Sequence, residues 1–416
     1  MSSFSELKKG LSSIEILERE LNLKQLQVNR LLNITQAINN NVSAQGLYDM
    51  YSSFLSWELG VKKMILFVKQ DDDWQRACFS GIPIDKLSID ITPYFEKFEQ
   101  LRNLEDYQDN PLIQEFDVVI PVSHKTQPIA FVFIGGFGED EDMYQKVQFI
   151  TTITNIIAVA IENKRLFKRQ IEQERLKKEV ELASEVQKML IPNELPSKKE
   201  YELASVYKPQ LGVGGDYFDF IEFKDGKIVF CVGDISGKGI AAALLMANFQ
   251  ANFHTLIKKR TDLEEFVRAL NQSVNMITDG ERFITFFIAE YDINTRRLKY
   301  INAGHNPPVL VMDGQSYFLD KGCTILGSFE KLPIVEIGSM DIVCEAMILA
   351  FTDGVTDVTD ENGEVIDEQE IYDFVKDNYR LTAVEFNEEL MKKIDHYKHD
   401  ERYPDDITIL TCKIFG

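Results

Sequence analysis

KIVFCVGDISGKGIAAALLMA, residues 227–247, is the stretch on which the fold turns. Residues 228–232 are apolar at odd and even positions alike, as a strand covered on both faces must be. Asp234 follows at once, so a buried strand ends by carrying a carboxylate to a rim. Gly237 and Gly239 then break the chain before an apolar run with helical composition. AMILAFT (346–352) repeats the device and delivers Asp353. Two further acidic turns, GVGGDYFD (212–219) and YPDDITIL (403–410), sit where a rigid sheet could aim them into the same pocket. One acidic turn is ordinary solvated surface. Four at strand ends or turns, two of them leaving buried strands, predict a shared cation site, because a carboxylate leaving a core needs a cation or a donor. Paired divalent ions ~3.5–4 Å apart, bridged by a water, would satisfy these charges and activate that water.

Outward from this core the pattern is one of hairpins. YFDFIEF and KIVFCVGD flank Lys-Asp-Gly (224–226), FFIAEYD and LKYINAG flank INTRR, and VLVM and SYFL flank Asp-Gly (313–314). Helical stretches at 241–259 and 383–395 interrupt them. The expectation is antiparallel sheets with helices on their outer faces.

Taken in order, G-G-D-Y-F-D, G-D-I-S-G-K-G-x-x-A-A-L-L-M-A, N-A-G-H-N-P-P, T-D-G-V-T-D and D-D-I-T closely resemble the bacterial SpoIIE/RsbU-like branch of the PPM metal-dependent phosphatases, over about residues 195–416. The resemblance implies an α/β/β/α sandwich, two Mn²⁺ or Mg²⁺ ions, and hydrolysis of phosphoserine or phosphothreonine by metal-bound water without a phosphoenzyme. Carried over residue by residue, Asp216 resembles the metal-bridging carboxylate, and Asp234 and the carbonyl of Ile235 the ligands of one ion. Asp353 and Asp405 resemble ligands of the other, with Asp406 an alternative to Asp405. Ser236 stands where eukaryotic members place a histidine, which points to water as the leaving group's proton source. No arginine matches their phosphate-gripping one, so the metals are expected to hold the substrate phosphate. Asp219 and Asp357 echo the motifs, with supporting roles at least as expected as ligation. His305 is read as stabilising a turn. GDISGKG is not a P-loop, since its glycine spacing is one residue short and Gly239 follows Lys238.

The chain's first half is mixed α and β. A helix through Leu47, Met50, Tyr51, Phe54 and Leu55 precedes strand-like runs VKKMILFVK (61–69), WQRACF (74–79), FDVVIPV (116–122) and PIAFVFIGG (128–136). This order resembles a GAF domain, a sensory module, and implies an α/β/α unit over 31–165 open to an unknown small ligand. Ile14, Leu17, Leu21, Lys24, Val28 and Leu31 alternate spacings of three and four, which fits a dimerising coiled coil or an amphipathic helix lying on the next domain. From about 142 a helix runs on to Met189, and Pro192 stops it. The expected organisation is an entry helix (1–30), a GAF-like domain (31–165), a connector helix (166–195) and a phosphatase domain (196–416), an α+β chain working as a homodimer.

With 45 Lys and Arg against 67 Asp and Glu, the formal charge is -22, which opposes nucleic-acid binding and weighs against a two-metal phosphodiesterase. Five cysteines without a C-x-x-C pair argue against a disulfide framework or a zinc cluster and fit a reducing, cytoplasmic setting. No apolar run approaches the ~18 residues of a membrane span. The reading is a regulated Ser/Thr phosphoprotein phosphatase whose substrate, following its branch, is a STAS-type anti-sigma-factor antagonist. The alternative is a sensor or scaffold with a non-catalytic phosphatase-like domain.

Overall fold

In the computed structural model, the described residues are 2–416 apart from 71–72, 108, 125–126, 138–142, 260 and 399–402, with the side chains of 2–16, 19–20, 23 and 143 also outside the description. Ile14 of the predicted seam falls among the latter. The chain divides into two units, Met1–Gln173 and Glu174–Gly416.

The first unit opens with α1 (Ser2–Asn39) and α2 (Ala44–Trp57), where Ser43 caps the first turn through Gly46 N. Strands β1 (Lys63–Gln70), β2 (Asp73–Ser80), β3 (Arg102–Asn103), β4 (Val118–His124) and β5 (Gln127–Gly135) form one antiparallel sheet in the order β2-β1-β5-β4-β3. Alternation along β1 sorts its side chains. Met64, Leu66 and Val68 join a core with α1, α2 and the start of α3 (Met143–Lys188), while Ile65 and Phe67 face the other way. Among the described residues that second face is covered not by an α-helix but by 3₁₀ turns at Ile84–Ser88, Thr92–Lys97 and Ile113–Glu115; Phe95 and Ile113 of these turns, and Phe98 just after the second, pack with Phe131 and Phe133.

The second unit stacks two sheets between two helical layers. Strands β6 (Tyr201–Lys208), β7 (Tyr217–Glu222) and β8 (Lys227–Ile235) come first, then α4 (Ile240–Ile257) and α5 (Leu263–Thr278). The chain continues with β9 (Ile284–Asp292), β10 (Arg297–Ala303), β11 (Val309–Met312), β12 (Gln315–Phe318), β13 (Gly322–Cys323), β14 (Gly338–Asp341) and β15 (Ala346–Phe351). It ends with α6 (Glu368–Asn378), α7 (Ala383–Tyr397) and β16 (Ile407–Ile414). One sheet has the order β13-β10-β9-β8-β7 with β14 beside β10, and the other β12-β11-β15-β16-β6. Period-two sorting builds the layers: Leu310, Ile348, Leu410 and Cys412 face the first sheet, whereas Val309, Val311, Leu349 and Ile409 face α6 and α7. α5 starts at Asp262, which caps Glu265 N, and α7 at a Thr382/Glu385 capping box.

One expectation needs correction. α4 is 18 residues long with mean hydropathy 1.2, long and apolar enough by composition to cross a membrane. Its Ala242, Leu245, Met246, Phe249, Phe253 and Ile257 are buried in the core of this unit. An apolar run of this length here reflects a helix laid on a sheet, each of its buried large side chains contributing roughly 1.5–3 kcal/mol.

Candidate active site

The two sheets bring their strand ends together at one edge. Asp216 immediately precedes β7, Asp234 is the penultimate residue of β8, Asp353 follows β15 in a 3₁₀ turn, and Asp405 and Asp406 precede β16. Asp353, Asp357 and Asp405 place one carboxylate oxygen each within 4.8 Å of one another. Asp234 is pushed up to about 7, first by burial and then by the charges of Asp353, Asp405 and Asp406. Asp216, 2% exposed, is raised by burial and by Asp234. Burial, then Asp357 and Asp405, raise Asp353. Carboxylates that push one another up across four separate chain segments share one electrostatic pocket.

What holds Asp216 there is a pair of hydroxyls. Thr352 Oγ1 donates to Asp216 Oδ2 at 2.8 Å and Thr408 Oγ1 to the same oxygen at 2.6 Å. Both favour its charged form against burial. Ile235 keeps its side chain in the core, and its carbonyl oxygen faces Gly215, where a Cβ would lie 2.8 Å from it. Only glycine lets that oxygen and the Gly215 backbone approach so closely.

Asp405 and Asp406 separate cleanly. Asp405 lies beside Asp353 and Asp357 and accepts a 2.7 Å ion pair from Lys238. Asp406, 8% exposed, turns inward and straps the preceding loop, accepting from Gln210 N at 2.8 Å and Gly215 N at 2.7 Å. The Lys238 pair is the one ion pair described at this cluster. A pocket of carboxylate oxygens with so little compensation has the donor chemistry of a site for hard divalent cations, so the residues present fit Mg²⁺ or Mn²⁺.

Residues 224–415 match the family described as Stage II sporulation protein E (SpoIIE). The C-terminal domain is a SpoIIE-type PP2C phosphatase domain. Over 267 residues the chain is 26% identical to "Phosphoserine phosphatase RsbU" of Bacillus subtilis (strain 168), covering 63% of this chain and 78% of that protein. With "Phosphoserine phosphatase RsbP" of the same organism it shares 24% identity over 236 residues, 55% of this chain and 56% of that one. In fold it is similar to the SiaA-PP2C domain of Pseudomonas aeruginosa, at a TM-score of 0.52 and 20% identity, covering 59% of this chain and 99% of that one.

Within this SpoIIE-type domain the motif residues Ser236 and His305 are engaged in hydrogen bonds that hold the backbone or a neighbouring strand. Ser236 pins its loop to the segment just before β9: its Oγ accepts from Phe283 N at 3.0 Å and its carbonyl from Arg282 at 2.8 Å. His305 is buried and driven down to about 4 by that burial, with Nδ1 2.9 Å from Thr285 Oγ1. The turn it occupies is held by Asn302, whose side chain bonds the His305 N–H and carbonyl. Sequence reasoning missed Thr352, Thr408 and Lys238. Their legible signal was a hydroxyl or an ammonium inside motifs already chosen for their aspartates.

Proposed function

We propose that this domain is a metal-dependent serine/threonine phosphoprotein phosphatase in which Asp216 would be a shared ligand of two divalent ions, Mn²⁺ or Mg²⁺. Asp234 and the Ile235 carbonyl would hold one ion, and Asp353 and Asp405 the other. The observation that carries the reading is the convergence of Asp216, Asp234, Asp353 and Asp405 on one pocket where, among the described residues, Lys238 makes the one ion pair. When bound, such ions supply Lewis acidity, lowering the pKa of a water and neutralising phosphate charge. The chain's own residues do the positioning. Thr352 and Thr408 keep Asp216 ionised and fixed in orientation. Asp406 holds the loop that presents Gly215 and Asp216. Asp234 lies within β8, and Asp216, Asp353 and Asp405 each lie within two residues of a strand end, which limits how far they can move.

The relatives' names supply the substrate class: RsbU and RsbP are called phosphoserine phosphatases, and a STAS-type anti-sigma-factor antagonist in a partner-switching pathway is the substrate we propose. The first unit is read as a GAF-like sensor acting through α3 in a cytoplasmic homodimer. Exposed Leu17, Leu21 and Val28 on α1, and Leu176, Leu182 and Val186 on α3, support a helical pairing surface. The deciding experiment is phosphate release from phospho-STAS and phosphopeptide substrates with and without Mn²⁺. Asp216→Asn and Asp353→Asn are each expected to lower it by orders of magnitude while circular dichroism stays native. Wild-type rates in either variant, or a wild-type chain that binds phospho-STAS protein without turnover, would leave the scaffold reading.

A further inference from the structure

Lys238 lies in the loop between β8 and α4, about half exposed, with its Nζ 2.7 Å from Asp405 Oδ2 and 3.1 Å from the carbonyl of Pro404. The charges of Asp405, Asp406 and Asp353 all act on it. An ammonium here lends nothing to the core, and the fold does not need a cation on a rim carboxylate that water would solvate well. Its position is informative for a different reason: it takes up an oxygen of one of the three carboxylates, Asp353, Asp357 and Asp405, that cluster within 4.8 Å. A divalent cation on that triad and the ammonium on Asp405 repel each other, so loading the site weakens the Lys238 pair.

We propose that Lys238 is a substrate-phosphate-binding residue, held as the counter-ion of Asp405 until cation binding releases it to the mouth of the site. This rests on the phosphatase reading above. A phosphoryl group entering a pocket of five aspartates meets strong repulsion, and an ammonium on a flexible four-carbon arm at the rim is suited to offset it. Arg282, at the same loop, is engaged with the Ser236 carbonyl at 2.8 Å. Lys238 also immediately precedes Gly239, the N-cap of α4, which makes no side-chain cap hydrogen bond.

The test uses the full chain as wild type, Lys238→Met and Lys238→Arg. Titrating Mn²⁺ calorimetrically in the absence of substrate, Lys238→Met is expected to bind several-fold more tightly and Lys238→Arg as the wild type does. Titrating orthophosphate into the Mn²⁺-loaded chain, Lys238→Met is expected to bind about tenfold more weakly, with Lys238→Arg recovering most of the loss. With a phosphoserine protein as substrate, the Lys238→Met defect should fall on KM more than on kcat. Unchanged orthophosphate affinity in Lys238→Met overturns the proposal. A wild-type chain that releases no phosphate from any phosphoprotein sinks the phosphatase reading instead, and the two calorimetric arms still report on Lys238.

Discussion

Thr408 Oγ1 donates to Asp216 Oδ2 at 2.6 Å, tying together residues 192 apart in the chain. Thr352 Oγ1 does two things at once, donating to the same oxygen at 2.8 Å and accepting from Thr408 N at 3.0 Å. The buried carboxylate is thus oriented from the opposite sheet. Replacing Thr408 by the near-isosteric Val removes one hydrogen bond to a charged group, about 1.5–3 kcal/mol. Asp216 then holds its proton more firmly. Calorimetry at neutral pH should show Mn²⁺ affinity falling about tenfold or more, the deficit shrinking at higher pH as proton competition fades. An affinity equal to the wild type's would mean that the hydroxyls do not tune Asp216.

The crowding of carboxylates also predicts how the cation-free protein responds to pH. Asp234 is raised from 3.8 to about 7 in the folded chain, first by burial, and Asp216 is raised with it. Between these limits the folded state binds more protons than the unfolded state, so stability falls as pH rises through the window and levels off above it. Urea unfolding in EDTA should give a lower midpoint at pH 8 than at pH 5, and Asp234→Asn should flatten that difference. A slope untouched by Asp234→Asn would place the pH dependence elsewhere.

Neighbouring aspartates at 405 and 406 should behave as different kinds of residue. Asp406→Ala removes the acceptor for Gln210 N and Gly215 N and is expected to destabilise the fold by about 2–4 kcal/mol. Asp405→Ala, on a partly exposed side chain at the acidic triad, should change stability by about 0.5 kcal/mol or less yet weaken Mn²⁺ binding. Thermal melts and cation titrations of both variants separate the roles. The reverse pattern would exchange the two assignments.

How far these sites were legible depended on whether the signal was periodic. KIVFCVG and AMILAF declare themselves as buried strands because they are apolar on both faces, and every residue of β15 is buried. Thr408 is harder to see. It occupies an inward position on β16, between Ile407 and Ile409 that face α6 and α7, and a β-branched threonine reads as an ordinary strand former. The choice between Asp405 and Asp406 was open because adjacent residues on an extended chain point opposite ways, and only the loop at 210–215 shows which one it needs. In the first unit the 3₁₀ turns at 92–97 and 113–115 bring Phe95 and Ile113 into a core, yet they are too short to leave a repeat in the sequence.

Asp219 gives the last prediction, since its motif position suggests the active site and its surroundings do not. It is 3% exposed and lies two residues beyond Tyr217 on β7, so both point to the same face, under α4. Its Oδ2 accepts from the Tyr217 hydroxyl and lies 2.7 Å from His254 Nε2 on α4, while Oδ1 accepts from Phe220 N at 2.7 Å. A buried carboxylate with this many partners is a clasp between helix and sheet. Tyr217→Phe leaves it one donor short, at about 1.5–3 kcal/mol of stability, while phosphate release at saturating Mn²⁺ should stay at the wild-type rate below the melting range. If Tyr217→Phe instead melts like the wild type and loses its activity, Asp219 belongs to the chemistry, and the clasp is the wrong account of it.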